Sequence, residues 1–408
     1  MSSEEAKTNS ISSFLLRTAE RWPDKPAITF SGVTRTWLET KKRCHAAATL
    51  FRRLGVKQGD RIAYLGLNSN VCFETYYSPA LIGAVFVPIN HRLSIGEMKE
   101  CLDDCAPKLL IIDENFGEHA KRLAKSCESF KETIYSGQML HSMEGVSYED
   151  SVRAIIYSEE YCELSPSSED EIVIFFYTGG TTGRSKGVML TNNNLVCNTN
   201  CTIPLYRMKQ HWAFVIVGPL FHVAAGSRVF SCAVLAGHAV ILSKFDVTAL
   251  LGAIEKYKIN SDKFKIIHTE KNIEDTDTAL GAAKKGKDTS LWLAMESLKK
   301  GESDCVVSAG NTGALFVIAK LNLEMITNID KPALSALWPN KNGMNVVLDL
   351  GANIECNEKN LIDFSVMGSA LHKSLFENEI SKVALLNIGS EEIKGNTIIK
   401  NTYQALND

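Results

Sequence analysis

Short runs of apolar residues alternate along this chain with stretches in which apolar positions recur every three to four residues. Short apolar runs are typical of buried strands, whereas the longer recurrence is typical of amphipathic helices. The alternation predicts an α/β fold with mainly parallel sheets. In the first part of the chain the predicted strands are Ala27–Phe30, Arg61–Leu65, Val85–Pro88, Leu109–Asp113, Ile172–Phe176, Phe214–Val217 and Ala239–Leu242.

Two helices are predicted early in the chain. Residues 11–21 place apolar side chains on one side, with Ser12 or Ser13 as the expected N-cap. Residues 38–54 carry an apolar face that ends before Gly55, a residue that commonly stops helices. The first region is therefore expected to be a multi-layer α/β segment.

The pattern starts afresh after residue 260. The polar stretch Glu255–Lys263 separates two patterned regions, and 408 residues are too many for one ordinary core. We therefore expect two α/β domains, residues 1–255 and 256–408. The strands predicted in the second are Phe264–Ile267, Asp304–Ser308, Val346–Leu350 and Val383–Ile388.

Composition narrows the classes of function. The formal net charge of -3 without a long run of like charge disfavours a nucleic-acid partner and favours small-molecule chemistry. No apolar run reaches the roughly 18 residues of a membrane span, and the polar N-terminus does not read as a signal peptide, so a cytoplasmic protein is expected. The 11 cysteines are expected to be reduced, and no metal site is predicted.

A loop rich in glycine and hydroxyl residues follows the predicted strand Ile172–Phe176. Its glycines allow the backbone to approach an anion closely, and its hydroxyls and cations can bind phosphate oxygens. It is not a Walker A loop, because Lys186 lies between Ser185 and Gly187. A simple surface turn is the alternative. The candidate phosphate ligands are Thr178, Gly179, Gly180, Thr181, Thr182, Gly183 and Lys186, with Arg184 and Ser185 beside them.

Residues 10–250 resemble the adenylate-forming acyl-CoA synthetase family. The resemblance rests on this loop and on Thr34–Trp37, Gly59–Arg61, Gly83–Ser94, Val188–Thr191 and Pro219–His222. It implies that the loop holds ATP phosphates, with magnesium bridging them, while a fatty-acid carboxylate attacks the α-phosphate before transfer to CoA.

The same resemblance implies catalytic roles for Lys186 and for His222, whose motif lines or gates the acyl pocket. A histidine after an apolar strand is, alternatively, an ordinary core or surface residue. The family's Gly-Tyr-Gly-x-Thr-Glu and Thr-Gly-Asp segments and its small C-terminal domain are not found, so a truncated adenylating segment is expected.

The second region contains its own candidate anion site. A loop ending in a helix N-terminus can hold phosphate through backbone N–H groups, and ligands of α/β folds bind at the ends of parallel strands. Asn311 and Asn353 are alternatively turn residues, and Glu391 and Glu392 are placed to neutralise Lys394. The candidates are Ser308, Gly310, Asn311, Thr312, Gly313, Asp349, Asn353 and Lys394.

Residues 262–405 resemble the phosphate acyltransferase of bacterial phospholipid synthesis. The resemblance rests on Phe264–Thr269, Ser308–Ala314, Pro332–Pro339, Leu348–Asn353 and Asn387–Gly395. It implies transfer of a fatty acyl group from acyl carrier protein to inorganic phosphate without a cofactor, with Asn311 and Lys394 as catalytic residues. The family's Ala-Met-Gly-Gly-Asp segment is not found.

The two resemblances imply an incomplete multi-layer α/β segment of each family, the second one Rossmann-like, and together they predict a hybrid chain joined between residues 245 and 265. The shared chemistry is fatty-acyl activation, as an adenylate and CoA thioester in one segment and as an acyl phosphate in the other. The expected partners are a fatty acid with CoA, or acyl carrier protein with phosphate, and a homodimer or association through incomplete domains. A non-catalytic or unstable product that at most binds nucleotide or phosphate is the alternative.

Overall fold

The computed structural model describes residues 9–127, 130, 132–137, 145–178, 185–259, 265–274, 276–341, 343–351, 353, 355–377, 379–387 and 396–407. The chain divides into two compact units, Met1–Lys265 (unit 1) and Ile266–Asp408 (unit 2). A helix covering Val247–Lys256 runs through the expected boundary at residue 255. The assignment of residues 1–255 and 256–408 as two truncated domains stays a prediction.

Unit 1 alternates helices and strands as its sequence pattern predicts. Its helices are α1 Ile11–Arg21, α2 Trp37–Arg53, α3 Asn70–Thr75, α4 Ile95–Cys105, α5 Gly117–Ser126, α6 Tyr148–Ser158, α7 Asn192–Leu205, α8 Val223–Val234 and α9 Val247–Lys256, with 3-10 turns at Ala80–Ile82 and Glu114–Phe116. Its strands are β1 Pro26–Phe30, β2 Val33–Thr36, β3 Arg61–Leu65, β4 Val85–Pro88, β5 Leu109–Asp113, β6 Glu132–Ser136, β7 Val146–Ser147, β8 Ile172–Thr178, β9 Lys186–Thr191, β10 Ala213–Ile216 and β11 His238–Ile241.

The strands of unit 1 form two sheets. Within the described residues, the larger sheet has the order β7-β6-β5-β3-β4-β8-β9 and the smaller one the order β10-β11-β1-β2. All neighbours are parallel except β8 with β9 and β1 with β2. The predicted α/β class with mostly parallel sheets is confirmed, because short apolar runs buried on both faces favour parallel pairing.

The predicted helices lie where expected, but one N-cap was wrong. Ser10 caps α1: its hydroxyl accepts the Ser13 N–H at 3.2 Å, and the Ser13 hydroxyl accepts the Ser10 N–H in return. Ser12 and Ser13 lie inside the helix and are buried. The reciprocal Ser–Ser pair is a weak sequence signal, since a capping box usually carries Glu or Gln at its third helical position. Gly55 follows α2 with φ +82°, as expected of a helix stop.

Two buried clusters hold unit 1 together. The larger cluster joins α1, α2, α3 and α8 to strands of both sheets and includes the fully buried Trp37, Phe73, Tyr76 and Phe230. The second covers the other face of the larger sheet with side chains from α4 and α5. The parallel strands are thus enclosed by helices on both faces, which leaves loops at the strand ends to carry function.

Unit 2 is mainly helical. It contains α10 Ala279–Lys284, α11 Ser290–Lys299, α12 Thr312–Asn322, β12 Ser335–Asn340, β13 Gly343–Leu348, α13 Glu358–Leu375 and α14 Thr397–Asn407. Helix α12 packs on α10 and α11 around a small apolar cluster, and β12 and β13 form an antiparallel hairpin. Helix α13 packs on β13 and α14.

Three strands predicted for unit 2 were wrong over their described residues. Residues 265–267, 304–308 and 383–387 have no regular strand structure, while the strand predicted from Val346 is the end of β13 and pairs with β12. A parallel strand needs neighbours on the same sheet, and an apolar run without them has no ladder to join. Among the described residues of unit 2 the strands form only the antiparallel β12–β13 hairpin, so the Rossmann-like layer expected of this segment stays a prediction.

In the part of the chain that the structure describes, helices long and apolar enough to cross a bilayer are absent. All eleven cysteines are free thiols.

Candidate functional site

The predicted phosphate loop connects the two strands of a ribbon at the edge of the larger sheet. Thr178 ends β8 and faces Lys186, the first residue of β9, across the antiparallel ladder. The Thr178 hydroxyl points toward the Lys186 carbonyl, at 3.4 Å, and both side chains are exposed. Within the described residues the Lys186 ammonium makes no ion pair, so its charge is available at the loop mouth. The candidates Gly179, Gly180, Thr181, Thr182, Gly183 and Arg184 lie outside the described residues.

The base of this ribbon is braced from helix α4. The Tyr177 hydroxyl donates to the Asp104 carboxylate at 2.7 Å, and burial together with that hydrogen bond raises the pKa of Tyr177. A Cβ at Gly187 would lie 3.2 Å from the Tyr177 ring, so glycine at this position lets the ring lie across β9. Tyr177 therefore fixes the start of the loop and stays neutral near pH 7.

His222 begins helix α8 at the end of the second motif, Pro219–His222. Its Nδ1 accepts the Ala224 N–H at 3.2 Å and caps the helix. A ring that accepts at Nδ1 carries its proton on Nε2, which leaves a donor on an exposed side chain. The capping contact explains the local fold of His222, whose role in an acyl site stays a prediction.

Phe221 of the same motif packs against His91, which lies in the Gly83–Ser94 motif but was not predicted as a site residue. The rings of Phe221 and His91 meet edge-on with centroids 4.9 Å apart, and the Arg92 guanidinium lies 5.8 Å from the Phe221 centroid. The Nδ1–H of His91 donates to the Gly66 carbonyl at 3.2 Å, and burial lowers the pKa of His91. The His91 side chain is therefore neutral at pH 7 and packs beside the Pro219–His222 motif.

Helix α8 places the Pro219–His222 motif close to strand β8, which leads into the predicted phosphate loop. A Cβ at Gly226 would lie 2.2 Å from the Tyr76 hydroxyl and 3.2 Å from the Phe176 ring, so the helix packs closely on the end of β8. Phe176 precedes Thr178 by two residues, and Gly226 follows His222 by one helical turn. The structure thus brings the His222 motif beside the strand that leads into the phosphate loop.

A cavity of unit 1 lies elsewhere, at the carboxyl ends of β1, β3, β5, β6 and β11. Its volume is about 560 Å³. Neither Lys186 nor His222 lines it. Asn68, Asp113, Ser136 and Glu149 do, and no local motif marked them beforehand, because these polar residues are separated by long stretches of sequence.

In unit 2 the predicted anion loop is the start of helix α12. The Asn311 Oδ1 accepts the Ala314 N–H at 3.0 Å, and its Nδ2 donates to the Asp277 carbonyl at 2.9 Å. Asn311 is thus the N-cap, and Thr312 and Gly313 are exposed in the first turn. The Ser308 hydroxyl accepts the Gly310 N–H at 3.2 Å, which shapes the preceding turn.

Asp349 and Asn353 come together after strand β13. The Asp349 Oδ1 accepts the backbone N–H of Asn353 at 3.1 Å and its Nδ2–H at 3.0 Å, and the same amide donates to the Pro332 carbonyl. Asp349 has φ +60°, and the Cys356 thiol donates to its other oxygen at 3.5 Å. The pair closes a tight loop, and sequence reasoning did not single out Cys356. Lys394 lies outside the described residues.

Two family models match the chain. The model described as "AMP-binding enzyme" matches residues 15–261, more than half of the chain, so the chain belongs to that family. The model described as "Fatty acid synthesis protein" matches residues 240–408. The two predicted resemblances are confirmed, and the matched ranges overlap at residues 240–261.

Individual relatives divide between the two segments. The phosphate acyltransferase of Pelagibacter ubique is 67% identical over 150 residues, which are 37% of this chain and 45% of that protein. The phosphate acyltransferase of Maricaulis maris is 43% identical over 139 residues, 34% of this chain and 40% of that protein. The chain thus spans less than half the length of these curated relatives.

Solved structures match the fold of the first segment. The N-terminal domain of FACL13 from Mycobacterium tuberculosis has a TM-score of 0.54 at 24% identity, covering 61% of each chain. The o-succinylbenzoate CoA synthetase of Bacillus subtilis, bound to its acyl-adenylate intermediate, has a TM-score of 0.52 at 22% identity, covering 60% of this chain and 47% of that one. The fold is therefore that of the N-terminal part of CoA ligases.

Proposed function

We propose that unit 1 uses ATP to activate the carboxyl group of a fatty acid. The observation that carries this proposal is the pairing of Thr178, the last residue of β8, with Lys186, the first residue of β9. The two residues thus lie on either side of the connecting loop. Family membership and the acyl-adenylate seen in the Bacillus subtilis relative support the same chemistry.

The residues have separate parts in this reaction. A carboxylate oxygen of the fatty acid attacks the α-phosphorus of ATP, and pyrophosphate leaves as the acyl adenylate forms. The Lys186 ammonium and the Thr178 hydroxyl stabilise charge on the phosphates, where fixed cations and donors act most strongly, and magnesium bound with the ATP would neutralise further phosphate charge. His222 Nε2–H faces the acyl group at the end of the second motif. The CoA thiol then loses its proton and attacks the acyl carbon of the adenylate, so the thioester forms and AMP leaves.

Exchange of labelled pyrophosphate into ATP, dependent on palmitate, tests this proposal. Lys186→Ala removes a charge-assisted contact, so we expect the exchange rate or the ATP affinity to fall roughly tenfold to a hundredfold. Lys209→Ala, which removes another exposed lysine of unit 1, is the matched control and leaves the rate unchanged. Equal rates in the two variants would contradict a role for Lys186 in the site. If the wild-type protein shows no exchange, adenylation is rejected.

For unit 2 we propose acyl transfer to inorganic phosphate. The identity of 67% over 150 residues to a phosphate acyltransferase supports this second function. The N-terminal turn of α12 offers backbone N–H groups and the Thr312 hydroxyl to phosphate, which helix N-termini favour. Asn311 and Lys394 act on the reacting acyl group, and Ser308, Gly310, Gly313, Asp349 and Asn353 shape or line the phosphate site.

Formation of acyl phosphate from acyl carrier protein and phosphate tests the second function. Thr312→Val keeps the size of the side chain and removes one phosphate donor, so the KM for phosphate should rise roughly fivefold to tenfold. Thr397→Val, at the start of α14, is the matched control, since it changes another exposed threonine at a helix start. A wild-type protein without this activity would reject the function, and equal KM values would reject the role of Thr312.

Substrates and setting follow from these two activities. We propose fatty acid with CoA for unit 1, acyl carrier protein with phosphate for unit 2 without a cofactor, and a cytoplasmic site of action. Exposed apolar side chains such as Trp338 and Leu386 favour a homodimer or further association. Light scattering across a concentration series tests this, and a monomer at every concentration would contradict it.

A further inference from the structure

The loop that carries Phe221 and His222 is held by side chains from the two ends of one short helix. Asn68 lies just before α3 and Tyr76 just after it, and both are buried. The Oδ1 of Asn68 accepts the Leu220 N–H at 2.8 Å, and the Tyr76 hydroxyl donates to the Leu220 carbonyl. Both polar backbone groups of the residue preceding Phe221 are thus bound by side chains about 150 positions away in sequence.

Asn68 also ties this loop to the smaller sheet. Its Nδ2 donates to the carbonyls of Gly218 and Leu242 at 2.9 and 3.1 Å, and its own N–H donates to the Ser243 carbonyl at 3.2 Å. One buried amide therefore joins the end of β3, the end of β11 and the loop after β10. A buried amide that uses all of its side-chain donors and its acceptor holds its partners in one arrangement.

We infer that Asn68 and Tyr76 are positioning residues of the acyl site: they set the place of the Phe221 ring and the His222 imidazole through Leu220. This inference rests on the proposed function for its link to fatty acid, but the contact itself does not. No side chain of the pair is assigned to touch the substrate. Their effect passes through the loop backbone, where an error of about 1 Å is enough to weaken a built site.

Two adjacent tyrosines supply a matched test. Tyr76 and Tyr77 are both fully buried and both pack on Phe230, and the Tyr77 hydroxyl donates to the Val229 carbonyl at 2.9 Å. Tyr76→Phe and Tyr77→Phe therefore each remove one buried hydroxyl from a hydrogen bond to a carbonyl between residues 220 and 229. Only the Tyr76 bond belongs to the motif loop.

Two measurements are made on the full chain with palmitate as the probe. Tyr76→Phe should weaken palmitate binding and speed hydrogen exchange of the Leu220 amide, each roughly fivefold, the loss expected for one hydrogen bond. Tyr77→Phe should leave palmitate binding and Leu220 exchange unchanged, while it lowers the thermal stability about as much as Tyr76→Phe does. Equal effects of the two variants on Leu220 exchange, or none from Tyr76→Phe, would overturn the inference.

Asn68→Asp gives an independent variant of the same contact. The aspartate keeps the acceptor for the Leu220 N–H but loses the donors to Gly218 and Leu242, so we expect faster exchange across residues 218–222 and weaker palmitate binding. Unchanged exchange would count against the inference. If the wild-type protein binds no palmitate, the proposed acyl function of unit 1 fails, while the exchange comparison still decides whether Asn68 and Tyr76 position the loop.

Discussion

Unit 1 and unit 2 have similar helix and strand patterns in sequence, yet they bury their apolar residues very differently. Unit 1 encloses Trp37, Phe73 and Phe230 completely between two sheets and their covering helices. The described part of unit 2 has one small cluster, formed by Ala282, Leu291, Met295, Ala314 and Ile318. Val307 and Leu386, in segments predicted as strands, are 93% and 95% exposed. An apolar run becomes a buried strand only where the rest of the sheet is present to cover it.

The closed core of unit 1 also permits a buried charge network. Arg43 of α2 bonds to the fully buried Glu74 at 2.6 and 3.1 Å, and to Glu149 at 3.1 and 2.7 Å. Asn70 and Tyr148 donate further hydrogen bonds to Glu74. Such a network is tolerated when every member is bonded, and it links α2, α3 and α6 beside the cavity of unit 1.

The largest expected effect is the loss of a core ring from unit 1. Phe73→Ala should lower the free energy of unfolding of unit 1 by about 4 kcal/mol, because it removes a fully buried ring and leaves a cavity. Chemical denaturation monitored by limited proteolysis should show two unfolding transitions. The substitution should shift only the transition of unit 1.

Val307→Ala in unit 2 is the control, and we expect no shift, since its side chain is almost fully exposed. A single transition that moves as a whole in Phe73→Ala, or one protected fragment covering residues 200–320, would contradict separate folding of the units.

The next effect concerns the buried charges. Glu74→Gln leaves Arg43 with a weaker partner in a dry site, so unit 1 should lose about 3 kcal/mol. Glu160→Gln removes a carboxylate that is 71% exposed and paired with the exposed Arg53, and it should cost less than about 1 kcal/mol. Thermal melts of both variants measure the difference, and equal shifts would mean that burial of the network contributes nothing.

A smaller effect separates structure from catalysis at Asn311. Asn311→Ala removes the N-cap of α12 and should destabilise unit 2 by about 1 kcal/mol, whereas Asn311→Ser retains a capping oxygen and most of the stability. If Asn311 also acts in catalysis, acyl phosphate formation should fall in both variants. Full activity of Asn311→Ser would leave the residue a helix cap only.

The smallest effect is a dependence on pH in unit 1. Burial lowers the pKa of His91 and of His238 from 6.5, so the unfolded chain binds protons more readily than the native one. Stability of unit 1 is therefore full above pH 6.5 and falls as the pH drops from 6.5 to the lowered values. Arg92 and Asp113 face His91 with opposite signs.

Unfolding midpoints between about pH 7.5 and about pH 5 should show this loss. His91→Gln should reduce the slope, and His268→Gln in unit 2 is the control. An unchanged slope in His91→Gln would mean that this ring gains its proton equally in the folded and unfolded chain.

Local sequence patterns were enough to predict seven of the eleven strands in the described part of unit 1 and two of its helices. Strands such as Arg61–Leu65 and Leu109–Asp113 were predicted to the residue, because a short apolar run between polar turns is a strand wherever both of its faces are buried. The glycines of the motif and Lys186 also indicated the β8–β9 connection, because they lie within a few residues of one another in the sequence. The cap at Ser10 was missed, because two serines carry little of the usual signal.

The tertiary structure alone decided which distant residues meet. Asn68 and Tyr76 bond Leu220, and His91 packs on Phe221, across intervals of more than 100 residues that no local pattern reveals. It also decided that residues 304–308 are not a strand, although their apolar run resembles those of unit 1. Strand formation depends on hydrogen-bonding partners and covering layers supplied from elsewhere in the chain. A short sequence run contains no information about those partners.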